Sequence, residues 1–522
     1  MENSLKTIGR NAGIVSSGIA VSRIFGFLRD ALIAFFFADR LRDIFFLILT
    51  IPNFSRRFFG EGALSSAFIP IFSESFKKKD KEDAWRVASS TVNIIFIVLA
   101  GLTLIGVIFS PLIIRVVACG FSQSSRELAV PNLRIMFPFM IFICLQAIYM
   151  GMLHSLGHFS TPSLAPIFFN LSIISMILLF KDRLNASLIP LSFGVVIGGF
   201  LQMLIQIPPL IKRGYRHSFH IEWNSSAIRK MFRLMGPALL GVGVLQINIV
   251  VDRILASFLP EGGISALWYS NRLVQLPFAL FGISIAQATF PALAAQAADE
   301  ESLKIKKTVL SSLSLSGFTA IPSFFALVFF GKPLINLLFQ RGQFTAISTD
   351  ATYFALIFYA TGLFAFAGTK IVANAFHSLK DTSTPLKIGI ATVGVNIVMD
   401  LALLRPMQQG GLALATSLAS FFNFALLVYY LERRLGKFNI SQIVLSLSKV
   451  TVASCVMSIV LWIGSHFLYS MEWNIIKKVF STILILPVGI GGYFICCYFL
   501  RVPEVRLLKD IFRSKNSKIN KE

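Results

Sequence analysis

The sequence predicts an all-α polytopic membrane protein of about fourteen transmembrane helices, built as two six-helix repeats followed by two C-terminal helices. Three observations carry that reading. Of 522 residues, 55% are hydrophobic and only 14% charged, and the mean hydropathy of +0.74 lies outside the range of soluble globular domains. Apolar runs near the ~20 residues needed to cross a bilayer recur along nearly the whole chain, separated by short polar or basic breaks. A nine-residue motif returns 223 positions later with six identities, as an internal duplication would leave it.

The first apolar run, 11–38, follows Lys6 and Arg10 and contains Arg23, Arg29 and Asp30. A secretory signal would exclude those charges from its apolar core, so the run is expected to be retained as the first helix. Further helices are expected at 43–72, 85–110, 131–153, 162–180, 186–211, 231–259, 264–297, 308–330, 346–376, 385–404, 410–431, 446–469 and 475–500. The stretch 212–230 is too polar to span and is expected to lie along the membrane surface as an amphipathic linker. Residues 1–211 then form an N-terminal six-helix lobe and 231–431 a C-terminal one, with two helices in 432–500 and a basic tail in 501–522.

Alternate loops are basic, with Lys77, Lys78, Lys79 and Lys81 in one, Lys212, Arg213 and Arg216 in another, Lys304, Lys306 and Lys307 in a third, and Arg433, Arg434 and Lys437 in a fourth. The positive-inside rule puts these loops and both termini in the cytoplasm and accounts for the net charge of +23 without nucleic-acid binding. Five cysteines show no paired-ligand spacing and four sit in apolar segments, so neither a metal site nor a disulfide framework is expected of them. His154 and His158 are spaced i,i+4 at a loop, without a carboxylate or thiol close in sequence to complete a metal site.

The repeated motif is His154-Ser155-Leu156-Gly157-His158-Phe159-Ser160-Thr161-Pro162 against His377-Ser378-Leu379-Lys380-Asp381-Thr382-Ser383-Thr384-Pro385. Near the same offset Asp30, Ala34 and Phe36 match Asp252, Ala256 and Phe258, while Ala67 and Pro70 match Ala288 and Pro291. Two six-helix copies entering from the same side are expected to relate by an axis along the membrane normal and to bind substrate between them.

Charges inside the expected spans are Arg23, Arg29, Asp30, Arg56, Arg57, Glu61, Asp252, Arg253, Arg272, Lys370 and Asp400. Each costs about 2.5–3.5 kcal/mol at a helix centre, so they are expected to line a wet cavity or to pair. Arg23, Gly26, Arg29 and Asp30 share a face of about 120° on the first helix. Arg57 and Glu61 are i,i+4 neighbours able to pair. Arginines converging from both copies suit a phosphate or pyrophosphate, whose oxygens a guanidinium binds bidentately without losing its charge. The alternative is that they clamp helices together or snorkel to the interface, the better reading for Lys370.

Ser22-Arg23-Ile24-Phe25-Gly26-Phe27-Leu28-Arg29-Asp30, Asp43-Ile44-Phe45-Phe46 and Pro52-Asn53-Phe54-Ser55-Arg56-Arg57-Phe58-Phe59-Gly60-Glu61-Gly62-Ala63 closely resemble the bacterial MurJ (MviN) lipid II flippases of the MOP exporter superfamily. Thr161-Pro162-Ser163-Leu164-Ala165-Pro166 and Trp268-Tyr269-Ser270-Asn271-Arg272-Leu273 extend the resemblance, which covers about residues 10 to 430. It implies a substrate-binding set of Arg23, Arg29, Asp30, Asp43, Arg56, Arg57, Glu61 and Arg272, a bacterial inner-membrane location and lipid II as partner alongside membrane lipids. A monomeric transporter working beside cell-wall synthesis proteins is expected. Asn271 departs from the Asp common before the eighth-helix arginine, which bears on how Arg272 is held.

Transport is expected to proceed by alternating access, the repeats rocking about the cavity while glycines such as Gly26, Gly60 and Gly62 allow bending. The competing transporters are a flippase for another undecaprenyl-linked glycan and a cation-coupled drug exporter, although the latter calls for a carboxylate-rich cavity. A membrane-embedded glycosyltransferase would need catalytic carboxylates on a sizeable outer loop, and 259–265 offers only Glu261. No catalytic residue is assigned, and a scaffold gives no reason for so many intramembrane charges.

Asp252, Asn396, Asp400 and Thr416 supply two carboxylates, an amide and a hydroxyl, with Asn396 and Asp400 on one helix face. Such hard oxygen donors suit a small cation, expected as Na+ in a coupling or structural role. The resemblance adds the backbone carbonyl of Leu412 to this set. The alternative is that Asp252 pairs with Arg253 and Asp400 with Arg405 as structural bridges.

Overall fold

The computed structural model describes residues 2–56, 65–78, 81–183, 187–222 and 225–505. Among them there is no strand, and the chain forms two compact units. The first comprises Met1–Ile264 with Gly342–Phe344, the second Ser265–Arg341 and Thr345–Glu522.

The first unit holds α1 (Glu2–Phe36), α2 (Asp39–Ser55), α3 (Ser65–Lys78), α4 (Lys81–Ile108), α5 (Ser110–Val117), α6 (Gln123–Met136), α7 (Phe139–Ser155), α8 (Ser160–Leu179), α9 (Ile189–Leu204), α10 (Ile207–Ile211) and α11 (Ser226–Ala256). The apolar run expected at 43–72 is α2 followed by α3. Pro138, which ends α6 and caps α7, explains why the segment before 139 is a separate helix. Glycine sets the contact of α9 with α8: a side chain at Gly198 would meet the Phe169 Cα at 3.0 Å. Residues 212–222, expected along the membrane surface, are non-helical and pinned to α4. Asn93 Nδ2 donates to the Ser218 carbonyl at 2.7 Å, Glu222 N–H to Ser90 Oγ at 2.8 Å, and the buried Tyr215 ring lies 5.4 Å from that of Trp85.

The second unit holds α12 (Gly263–Pro277, entered from the first unit), α13 (Ser284–Ala298), α14 (Ser302–Leu338), α15 (Ala346–Thr361), α16 (Leu363–Ser378), α17 (Ser383–Leu435), α18 (Ser441–Phe467) and α19 (Ile475–Phe499). A π-helical turn over Phe278–Ile283 follows Pro277 and joins α12 to α13, so the single run expected at 264–297 is one stretch interrupted by a change of helical register. The two helices expected at 385–404 and 410–431 are the two arms of α17, which kinks at Gln408 with φ 49° and ψ −127°. One apolar core joins α13, α14, α16 and α17 through Leu293, Val309, Val372 and Leu427; another joins α14, α18 and α19 through Phe330, Met457 and Ile485.

By length and composition ten helical stretches among the described residues can cross a membrane. The helices carrying the intramembrane charges Arg23, Arg29, Asp30, Asp252 and Arg253, namely α1 and α11, fall outside that set. Polarity there is concentrated where a site would need it.

Candidate functional site

On α1 the two arginines of the shared face meet different surroundings. Arg29 is 6% exposed and Asp30 fully buried. Its Nε and Nη2 donate to Asp30 Oδ1 at 3.0 and 2.6 Å, and Nη1 donates to Asn170 Oδ1 on α8 at 3.1 Å. Asn170 Nδ2 donates back to the Ser22 carbonyl at 3.2 Å, and the guanidinium stands 5.8 Å from the Phe169 ring centroid. Arg29 therefore clamps α1 to α8 as one half of a charge-neutral buried pair. Arg23, partly exposed, makes no hydrogen bond or ion pair among the described residues. Its five N–H donors are available to a ligand.

Arg56 is partly buried at the C-terminal cap of α2, where its N–H donates to the Asn53 carbonyl. Asp43 is buried, and its Oδ2 accepts from the Gly262 N–H at 2.7 Å. Gly262 takes φ +91°, a conformation open to glycine, so Asp43 ties the start of α2 to the turn after α11. Arg57, Glu61, Gly60, Gly62 and the tail 506–522 lie outside the described residues. Arg272 is partly buried on α12 in the second unit, one residue after Asn271, whose Oδ1 accepts from Gln275 Nε2 at 2.6 Å.

Two residues absent from the sequence reading are central to this part of the first unit. Asn170 was passed over because it carries no charge. Arg42, fully buried, donates to Asp39 and to the Ala34 carbonyl and lies 4.6 Å from the Phe344 ring centroid. The i,i+3 spacing of Asp39 and Arg42 at a helix start is the signal that could have found it. A cavity of about 120 Å³ beside this region is lined by Leu47, Thr50, Phe54, Ile113, Val250 and Arg253, among others.

The five cation candidates divide between the units: Asp252 belongs to the first, where its Oδ2 accepts from Asn248 Nδ2 at 3.1 Å, and the other four to the second. Asn396 and Asp400 lie on the first arm of α17, 3% and 1% exposed. Neither side-chain atom of the Asn396 amide has a hydrogen-bond partner among the described residues. Leu412 and Thr416 follow on the second arm, the Thr416 hydroxyl donating to the Leu412 carbonyl at 3.0 Å. Arg405 is exposed and makes no ion pair among the described residues, so the bridge to Asp400 is not formed. A buried amide left with unmet polarity fits an oxygen-coordinated ion.

A family model described as "Lipid II flippase MurJ" matches residues 32–483. The probable lipid II flippase MurJ of Buchnera aphidicola subsp. Schizaphis graminum is 33% identical over 511 residues, covering 96% of this chain and 99% of that protein. A solved structure of the lipid II flippase MurJ in an inward closed conformation superposes with a TM-score of 0.78 at 29% identity, covering 93% of this chain and 98% of the other. An inward-facing multidrug resistance MATE family transporter of the MOP superfamily, at 14% identity and a TM-score of 0.68 over 80% of this chain and 96% of its own, shares the fold. This polytopic all-helical chain belongs to the MurJ lipid II flippase family.

Proposed function

We propose that this chain is a transporter rather than an enzyme and carries lipid II from the inner to the outer leaflet of the bacterial inner membrane by alternating access, with both termini cytoplasmic. The observation that carries this reading is Arg23. A permanent cation on a membrane-spanning helix, without a protein partner among the described residues, is costly unless water or an anion meets it. A pyrophosphate supplies paired oxygens that match the guanidinium fork. Arg56 and Arg272 add positive charge, and arginines rather than carboxylates speak for an anionic cargo over a cationic drug. The lipid tails stay in the bilayer while the headgroup crosses, and the chain acts as a monomer beside cell-wall synthesis proteins.

Complementation of a strain depleted of its own flippase tests the assignment. Arg23→Ala removes a charge-assisted contact worth about 1.5–3 kcal/mol, which is about tenfold to hundredfold in headgroup affinity, and growth should fail at normal protein abundance. Arg29→Ala should instead lower the amount of folded protein, because it removes the buried ion pair with Asp30 and the hydrogen bond to Asn170 that joins α1 to α8. Growth of Arg23→Ala cells at the wild-type rate would overturn the reading.

A small monovalent cation, Na+, is the proposed coupling or structural ion. In the second unit Asp400, Asn396, Thr416 and the Leu412 carbonyl supply oxygen donors, and the orphaned Asn396 amide supports the fit. Asp252 enters the set on its sequence position. Mass action stabilises a folded state that alone binds the ion by about 2.7 kcal/mol at a hundredfold excess over Kd. Purified protein should unfold at a higher temperature in Na+ than in matched K+, and Asp400→Asn should remove the difference. An equal shift in the variant excludes this site.

A further inference from the structure

Irregular backbone persists near the hydrocarbon of a bilayer only where its polar groups find protein partners or water. In the first unit α4 is long and apolar enough to span, and Asn93 is its last polar residue before the unbroken apolar run 94–102. The boundary between headgroups and hydrocarbon therefore falls near Asn93. Residues 215–222 run along one face of α4 towards that boundary and back. The Tyr215 ring lies 5.4 Å from that of Trp85, Ser89 Oγ donates to the Arg216 carbonyl at 3.5 Å, and Asn93 Nδ2 donates to the Ser218 and His220 carbonyls at 2.7 and 3.5 Å. Trp85, Ser89 and Asn93 are successive i,i+4 positions, so the loop descends about 12 Å along the helix. It returns through the Glu222 N–H, which donates to Ser90 Oγ at 2.8 Å, and the His220 N–H is met within the loop by Ser218 Oγ at 3.3 Å.

Phe219 stands at the tip, between the two carbonyls that Asn93 holds, and is 87% exposed. Its ring meets that of His217, also exposed, at 4.9 Å between centroids. Beyond Asn93 the same face of α4 continues with exposed Phe96 and Ile97 and then Leu104 and Ile108. An exposed row of this kind, apolar and without charge, is a membrane-contacting surface. The tip of the loop thus brings a bare aromatic ring to the edge of the acyl chains, where such rings are enriched.

Around that ring the chain is basic. Residues 212–221 hold Lys212, Arg213, Arg216, His217 and His220 and no carboxylate. Arg213 is engaged, donating to His158 Nδ1 at 3.1 Å and to the Pro209 carbonyl at 3.0 Å. The Lys212 ammonium and the Arg216 guanidinium are exposed and make no hydrogen bond or ion pair among the described residues. Arg216 is held at the level of Ser89, one turn and about 6 Å nearer the water than the tip, which is headgroup depth. We propose that 212–220 is a docking loop for anionic phospholipid, with Phe219 seated at the ends of the acyl chains and Lys212 and Arg216 on the lipid phosphates. A soluble acidic partner would match the charges but give Phe219 no role at the hydrocarbon edge. The leaflet it meets rests on the cytoplasmic placement of the basic loops proposed above; the docking does not, and it shares no residue with the Arg23 region.

Full-length protein with the photoreactive replacement Phe219→benzoylphenylalanine is reconstituted in nanodiscs of equal parts phosphatidylcholine and phosphatidylglycerol, irradiated, and its adducts are weighed by mass spectrometry. The label should attach to lipid acyl chains, with phosphatidylglycerol exceeding its share of the disc several-fold. Adding Lys212→Gln and Arg216→Gln should return the adducts to the disc composition while lipid is still captured. Adducts that mirror the disc in the parent protein, or a preference unmoved by the double substitution, overturn the anionic headgroup. Absence of lipid adducts overturns the docking itself, as does a protein adduct in place of lipid when the same chain is irradiated in cell membranes. All three side chains are exposed, so the substituted proteins should unfold at the wild-type temperature. Unsubstituted protein supplies a second measurement: hydrogen exchange over 212–222 should be slower in discs containing phosphatidylglycerol than in phosphatidylcholine alone, and equal exchange would contradict the proposal.

Discussion

Entering α8, the His158 N–H donates to the Leu153 carbonyl at 2.8 Å and the Gly157 N–H to His154 at 3.0 Å; entering α17, Asp381 donates to Phe376 at 2.9 Å and Lys380 to His377 at 3.0 Å. Gly157 takes φ +70° and Lys380 φ +58°. Every one of these pairs is offset by 223 residues, as are their side-chain partners Thr161 and Thr384. The chemistry has diverged on this common backbone. Arg213 Nη2 donates to His158 Nδ1 at 3.1 Å, which leaves Nε2 to donate to Thr161 Oγ1 at 2.8 Å. The Asp381 carboxylate only accepts: from Thr384 Oγ1 at 2.8 Å, the Thr384 and Ser383 N–H groups at 3.0 and 3.1 Å, and Arg434 Nη1 at 3.0 Å. Duplicated turns thus keep their backbone closure while the titrating group is exchanged. Lysine accepts at position 380 the left-handed conformation that glycine adopts without steric cost at 157.

The largest contrast should come from removing the closing side chains. Asp381 caps α17 by accepting from two backbone N–H groups, so Asp381→Ala should cost about 1–2 kcal/mol. The partly exposed Arg434 partner adds little to that. His158→Ala gives up side-chain contacts alone, about 0.5–1.5 kcal/mol. Hydrogen exchange across 155–163 and 378–386 reads both, and equal opening of the two turns would show that the carboxylate brings nothing the imidazole lacks.

A smaller contrast lies in pH. Burial, and then the Arg213 charge, hold His158 below its ordinary value of 6.5. The Thr384 N–H, followed by the hydroxyls and Arg434, holds Asp381 below 3.8 against the opposing effect of burial. In each case the unfolded chain binds the extra proton first, so stability rises with pH. The His158 turn should keep its full stability above about pH 6.5 and lose it as pH falls through the depressed imidazole value. Asp381 should hold until about pH 3.8 and weaken below that. Exchange rates corrected for intrinsic pH dependence, compared at about pH 5 and pH 7.5, should show the first turn loosened and the second unchanged. Loosening of both turns at pH 5 would contradict the separation.

The spans were legible because each is a run of apolar residues whose breaks are polar or basic, and this needs no knowledge of partners. Changes of helical register within runs were not, since Pro277 and the apolar residues after it read as one continuous stretch although a π turn follows the proline. The short α5 merged with its surroundings, having only eight residues. Charge counting found Arg23 and Arg29 but could not separate them, because the difference is made by Asn170 on another helix. Arg42 escaped for the same reason: its aromatic neighbour Phe344 lies far along the chain.

The Arg29 clamp has a consequence for how the protein is made. Its amide partner Asn170 is synthesised 141 residues later, roughly 7–28 s at ribosomal rates of about 5–20 residues per second. Throughout that interval α1 has the neighbouring Asp30 to neutralise its guanidinium but no Asn170 to complete it. A ribosome stall between the two helices would therefore leave Arg29 with Asp30 and without the Asn170 oxygen that completes its hydrogen bonds in the folded protein.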